Sequence, residues 1–62
     1  MEAYDRLVKL VQEAAEDVQK AQGGNKAAGT RVRKQMQEIK NAAQEVRIKI
    51  LETREAGGAT GG

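Results

Sequence analysis

Lys26, Arg33, Lys40, Arg47 and Arg54 follow one another at intervals of seven residues. On a helix that interval returns to nearly the same side, so the five bases form a column that, at 1.5 Å per residue, spans roughly 42 Å. None of them has an Asp or Glu three or four residues away. The other charges of this stretch are spaced as ordinary helix pairs, Lys34 with Glu38, Glu45 with Lys49 and Lys49 with Glu52. An unneutralised row of bases suits a polyanion, because each phosphate it meets releases a condensed counterion. A structural use competes with that one: the long side chains can cover the apolar seam beside them, or reach Glu13, Glu16 and Asp17 of a second subunit.

A second group of bases surrounds a turn. Between residues 20 and 34 lie Lys20, Lys26, Arg31, Arg33 and Lys34 and no acid. Four of these crowd the first turns of a helix, where the macrodipole disfavours cations, so something other than helix stability accounts for them, an anionic ligand or simply a solvated basic tip. Free N–H groups at a Gly-flanked helix start, together with several cations, suit a phosphate backbone. The segment GGNKAAGT has no Lys after its second Gly and no strand before it, which argues against a nucleotide-triphosphate loop.

The remaining chemistry is narrow. With no Cys and no His among 62 residues, the chain offers neither a thiol nucleophile nor an imidazole, and a chain this short encloses no substrate pocket. No enzymatic activity, catalytic residue, metal, cofactor or small-molecule substrate is expected. Glu13 with Asp17 reads as solvated charge rather than a cation site. Apolar runs are too short for a membrane span or a signal peptide, so a cytoplasmic protein is expected. Without Phe or Trp, and with Tyr4 as the single aromatic, there is no platform on which to stack bases, and no second crossing helix for sequence reading.

Two helical patterns hold these residues. The first covers about 2–22, with Tyr4, Leu7, Val11, Ala14, Val18 and Ala21 at coiled-coil spacing. The second covers about 26–55, with Val32, Met36, Ile39, Ala43, Val46 and Ile50 spaced likewise. Gly23 is the expected left-handed stop and Asn25 the expected N-cap, so residues 23–25 are a tight turn. The predicted fold is all-α, an antiparallel two-helix hairpin over residues 1–56, followed by a disordered Gly-rich tail at 57–62.

Folding at the turn with partners summing to about 50 sets Tyr4 opposite Val46, Leu7 opposite Ala43, Val11 opposite Ile39, Ala14 opposite Met36 and Val18 opposite Val32. It also sets Ala21 against Gly29, which reads Gly29 as a point of close approach. The second helix outruns the first, leaving Ile48, Ile50 and Leu51 beyond Val46 uncovered. These four are the expected oligomerisation residues, through a dimer forming a four-helix bundle or a larger assembly.

The stretch GNKAAGTRVRKQMQEIKNAAQEVR, residues 24–47, resembles the chlamydial histone-like family of small, linker-histone-like bacterial proteins, and EDVQK at 16–20 fits the same pattern. The resemblance implies a nucleoid-associated protein with duplex DNA as its partner and Lys26, Arg31, Arg33, Lys34, Lys40 and Arg47 as its DNA-binding positions. Chlamydial members continue into a long Lys- and Ala-rich tail, whereas this chain, ending AGGATGG, is expected to be a short member without it. Two readings stay beside DNA binding: a structural oligomerisation module that binds no nucleic acid, and a four-helix-bundle RNA binder.

Overall fold

The computed structural model describes residues 1–56, with side-chain surroundings through Thr53; the tail expected at 57–62 and the side chain of Arg54 lie outside the described residues. Two α-helices account for the described chain: α1, Glu2–Gln22, and α2, Lys26–Ala56. They pack against one another as a hairpin with extents of 49 × 15 × 14 Å.

Local chemistry sets the ends of both helices. Glu2 and Asp5 occupy the first turn of α1 and Lys20 its last, each matching the sign of the helix dipole there. At the C-terminus the Asn25 N–H donates to the Lys20 carbonyl and the Gly24 N–H to the Ala21 carbonyl, both at 3.0 Å. This is the paired bonding of a Schellman motif. Its left-handed residue is Gly24, at φ 97°, and not Gly23, whose φ is −82°. The expectation for Gly23 is therefore corrected by one position, because α1 keeps its helical hydrogen bonds through Gly23 N–H to Gln19 and Lys20. Asn25 caps α2 as expected, its Oδ1 accepting the Ala28 N–H at 2.9 Å.

The antiparallel register agrees with sums near 50: Arg6 pairs with Glu45, and Asp17 with both Arg31 and Gln35. The seam keeps the expected Leu7, Ala14, Ala21, Val32, Ile39 and Val46, but at the alternate positions Ala3, Leu10, Gln35 and Ala42 take the places expected for Tyr4, Val11, Met36 and Ala43. Ala3, Ala14, Ala28 and Ala42 are the buried residues, with Leu7, Leu10, Val32, Gln35, Ile39 and Val46 half-buried around them. Tyr4, Val11 and Met36, expected in the seam, are 55%, 50% and 42% exposed. Small side chains let two helix backbones approach closely, and close approach multiplies dispersion contacts along the whole pair. The alanines therefore form the closest contact with Leu7, Leu10, Val32, Ile39 and Val46 beside them, while Tyr4, Val11 and Met36 turn to one side.

Gly29 is corrected as well. A Cβ built there meets nothing within 4 Å, so no atom of α1 requires a glycine at that position.

Candidate nucleic-acid interface

The seam divides the hairpin into two unlike faces. Residues one step before a seam position (Arg6, Lys9, Glu13, Glu16, Lys20, Arg31, Lys34, Glu38 and Glu45) share one face, because in an antiparallel pair the same angular step from the seam leads to the same side. This face is polar, and three of its bases, Arg6, Lys20 and Arg31, meet carboxylates. Arg6 Nη1 lies 3.8 Å from Glu45 Oε2 across the hairpin, so Glu45 is paired with α1 rather than with Lys49, the partner its spacing suggests. Lys20 Nζ lies 3.9 Å from Glu16 Oε1 along α1.

The densest polar contact is at Asp17. Arg31 donates from Nε to Oδ2 at 3.1 Å and from Nη2 to Oδ1 at 3.0 Å, and Gln35 Nε2 donates to Oδ2 at 3.0 Å. The Arg31 hydrogen bond is the main cause that holds the Asp17 carboxyl below the usual aspartate range, with the Gln35 bond adding to it against partial desolvation. The same bond raises the Arg31 guanidinium further. Gln35 Oε1 is buried with no hydrogen-bond partner. Sequence reasoning missed this cluster, although Asp17 and Arg31 sum to 48, close enough to the register to have signalled it.

Residues one step after a seam position make the other face. Its inner rows are Tyr4, Val11 and Val18 on α1 and Gly29, Met36 and Ala43 on α2; its outer rows are Val8, Ala15 and Gln22 on α1 and Arg33, Lys40 and Arg47 on α2. The base column thus edges an apolar face on which Tyr4, Val11 and Met36 are exposed and Val8, Val18, Gly29 and Ala43 half-buried. Lys26, Arg33, Lys40 and Arg47 are all exposed, and among the described residues none is within 4.0 Å of a carboxylate. Arg47 Nη1 donates to Gln44 Oε1 at 3.2 Å, a neutral contact that leaves its charge uncompensated. Lys49, on the other hand, meets Glu52 at 3.8 Å as the spacing predicts.

Of the six expected DNA-binding positions, Lys26, Arg33, Lys40 and Arg47 share one edge of α2, about 10 Å apart along its axis. Lys34 is exposed near the turn. Arg31 sits on the opposite face with two of its nitrogens committed to Asp17, and its third, Nη1, faces no acid among the described residues. The start of α2 is closed by the chain's own Asn25 rather than left open, which reduces the donors the turn has to offer. The four expected oligomerisation residues are where α2 outruns α1: Ile48, Ile50 and Leu51 are exposed and Val46 half-buried. Val46, Arg47, Ile50 and Leu51 line a shallow groove of about 320 Å³ there. No described helix is long and apolar enough to cross a membrane.

Residues 1–56 match the model of one protein family, Histone H1-like protein Hc1. No curated protein and no solved structure matches the chain.

Proposed function

The chain belongs to the Histone H1-like protein Hc1 family, a DNA-binding, non-enzymatic family, and from that premise we propose that it binds duplex DNA without sequence preference, through backbone phosphates, as a component of the bacterial nucleoid in the cytoplasm. The observation that carries this reading is the column of Lys26, Arg33, Lys40 and Arg47: exposed, evenly spaced and, among the described residues, without a carboxylate partner, while Arg6, Lys20 and Arg31 on the other face each meet one. Phosphate contact needs charge and reach but no base-reading geometry, and this edge supplies the first two without the third. Lys34, one step before the seam residue Gln35, stands on the other face of α2 and adds to the positive field near the turn rather than to the edge itself. Arg31 contributes through Nη1, the nitrogen not used in its two hydrogen bonds to Asp17.

The test is fluorescence anisotropy with unrelated duplexes across a salt series. Similar affinities for all sequences and a steep loss with salt are expected. Replacing Arg33, Lys40 and Arg47 together by Gln should flatten the salt slope by roughly 0.9 for each phosphate that is no longer neutralised. An unchanged slope removes the column from the interface. Preference for structured RNA over duplex in competition replaces DNA with RNA as the ligand, and no binding at low salt leaves an assembly module.

A further inference from the structure

Gly29 has no structural reason within the chain. A glycine inside a helix weakens it relative to alanine, because more backbone freedom is lost on folding. Three circumstances can offset that loss, and the fold supplies none of them at this position. A left-handed backbone does not, since among the described residues the glycine at positive φ is Gly24. Tight packing does not, since a Cβ built at Gly29 meets nothing within 4 Å. A helix end does not, since α2 runs from Lys26 to Ala56 and the Gly29 N–H already makes a helical bond to the Asn25 carbonyl at 3.0 Å.

The surroundings of Gly29 are nevertheless specific. Lys26 stands three residues before it and Arg33 four residues after, the two spacings that place helix neighbours on one face. Both are exposed, and among the described residues neither lies within 4.0 Å of a carboxylate. Met36 stands in the same relation to Arg33 and Lys40, and Ala43 to Lys40 and Arg47. Of these three intervals between successive bases, the one at Gly29 leaves the α2 backbone bare. It is also the interval farthest from acids on its own helix, because no Asp or Glu occurs between Asp17 and Glu38, whereas Glu45 and Glu52 attend the other end of the column. On α1 the same face carries Val18, half-buried, and Gln22, exposed and neutral.

We propose that Gly29 is a DNA-contact position, where a sugar–phosphate strand lies directly against the bare backbone of α2 with Lys26 on one side of it and Arg33 on the other. The inference rests on the DNA-binding reading and deepens it by naming the point of closest approach along the column. Close passage of a ligand over the main chain is one of the few uses that favour glycine despite its entropy. Lys26 and Arg33 are separated by roughly 10 Å along the axis, so both long side chains reach a phosphate held between them. At Met36, 42% exposed, a side chain holds the strand away from the main chain. The duplex therefore sits closest at the turn end of the hairpin.

A contact of this kind makes stability and affinity move in opposite directions. Gly29→Ala should raise the melting temperature by several degrees, because helix propensity improves and nothing is displaced. The same variant should weaken duplex binding by about threefold, and Gly29→Leu by on the order of tenfold, as bulk is forced into a packed contact. Neither changes a charge, so the salt slope should move by less than one unit, whereas Lys26→Gln should lower it by about one. Ala27→Leu adds the same bulk in the same turn, one step before the seam residue Ala28 and so on the other face, and should leave affinity unchanged.

Anisotropy and thermal melts of wild type and these variants read all of this. Wild type that binds no duplex at low salt defeats the DNA-binding reading itself; wild type that binds while Gly29→Leu binds equally well defeats this inference alone. Equal losses at Gly29→Leu and Ala27→Leu also overturn it, because they report a disturbed helix. So does a changed chain mass of Gly29→Leu by light scattering without DNA, which assigns the empty space to another protein chain.

Discussion

Asp17 on α1 and Arg31 on α2 are joined by two hydrogen bonds, Nε to Oδ2 at 3.1 Å and Nη2 to Oδ1 at 3.0 Å, across the hairpin near its turn. The Asp17 side chain is 14% exposed and Arg31 51%, so the carboxylate is sheltered and the guanidinium covers it. A forked contact of this kind fixes the relative position of two helices more sharply than apolar packing does, because it requires alignment along the axis as well as proximity.

This pair gives the protein an acid limb. The folded state holds the Asp17 carboxyl below its ordinary value of 3.8, so the stabilisation is present above that value and is lost as pH falls through the depressed one. Thermal melts should show Asp17→Asn less stable than wild type at pH 7, with the gap closing as pH falls below the ordinary aspartate value of 3.8 and through the depressed one. A constant gap at all pH values would mean that geometry, not charge, is what Asp17 supplies.

Arg31 and Lys34 should separate in mutagenesis though both are bases near the turn. Arg31→Lys keeps the charge but loses the fork, and should lower the melting temperature. Lys34→Gln should leave the melting temperature nearly unchanged and reduce DNA affinity in a salt-dependent way. Equal melting temperatures for the two variants would contradict the contact at Asp17.

The two turn glycines should differ sharply. Gly23→Ala places a Cβ 3.5 Å from the Lys20 carbonyl oxygen, an ordinary contact at an ordinary φ, and should be tolerated. Gly24→Ala must hold a side chain at φ 97° and should cost about 1–2 kcal/mol. Asn25→Ala, which leaves the Ala28 N–H uncapped, should cost about 1 kcal/mol. Denaturant midpoints of the three variants read these differences directly.

Lys40→Gln and Lys49→Gln remove one charge each from the same helix. Lys40 stands in the unpaired column, whereas Lys49 lies 3.8 Å from Glu52. Lys40→Gln should lower the salt slope of DNA binding by about one unit, and Lys49→Gln should lower it much less. Equal reductions would indicate a diffuse charge effect rather than binding through one edge.

The two helices, their limits, the Asn25 cap and the seven-residue base column are legible in the sequence because each depends on neighbours along the chain: helix periodicity, capping groups and the pitch that returns every seventh residue to one side. The register near 50 follows from the short turn. What the sequence leaves undecided is which of two adjacent edges of each helix forms the contact, since Tyr4, Val11 and Met36 satisfy coiled-coil spacing as well as Ala3, Leu10 and Gln35 do. Tertiary structure chooses the edge of Ala3, Leu10 and Gln35 because backbone separation is a property of the pair and not of either helix. That choice of a few tens of degrees sends Arg31 onto Asp17, leaves Gly29 facing empty space, and brings the base column to the border of the apolar face of Tyr4, Val11 and Met36. No local pattern contains those three results, because each depends on atoms that meet only when the two helices do.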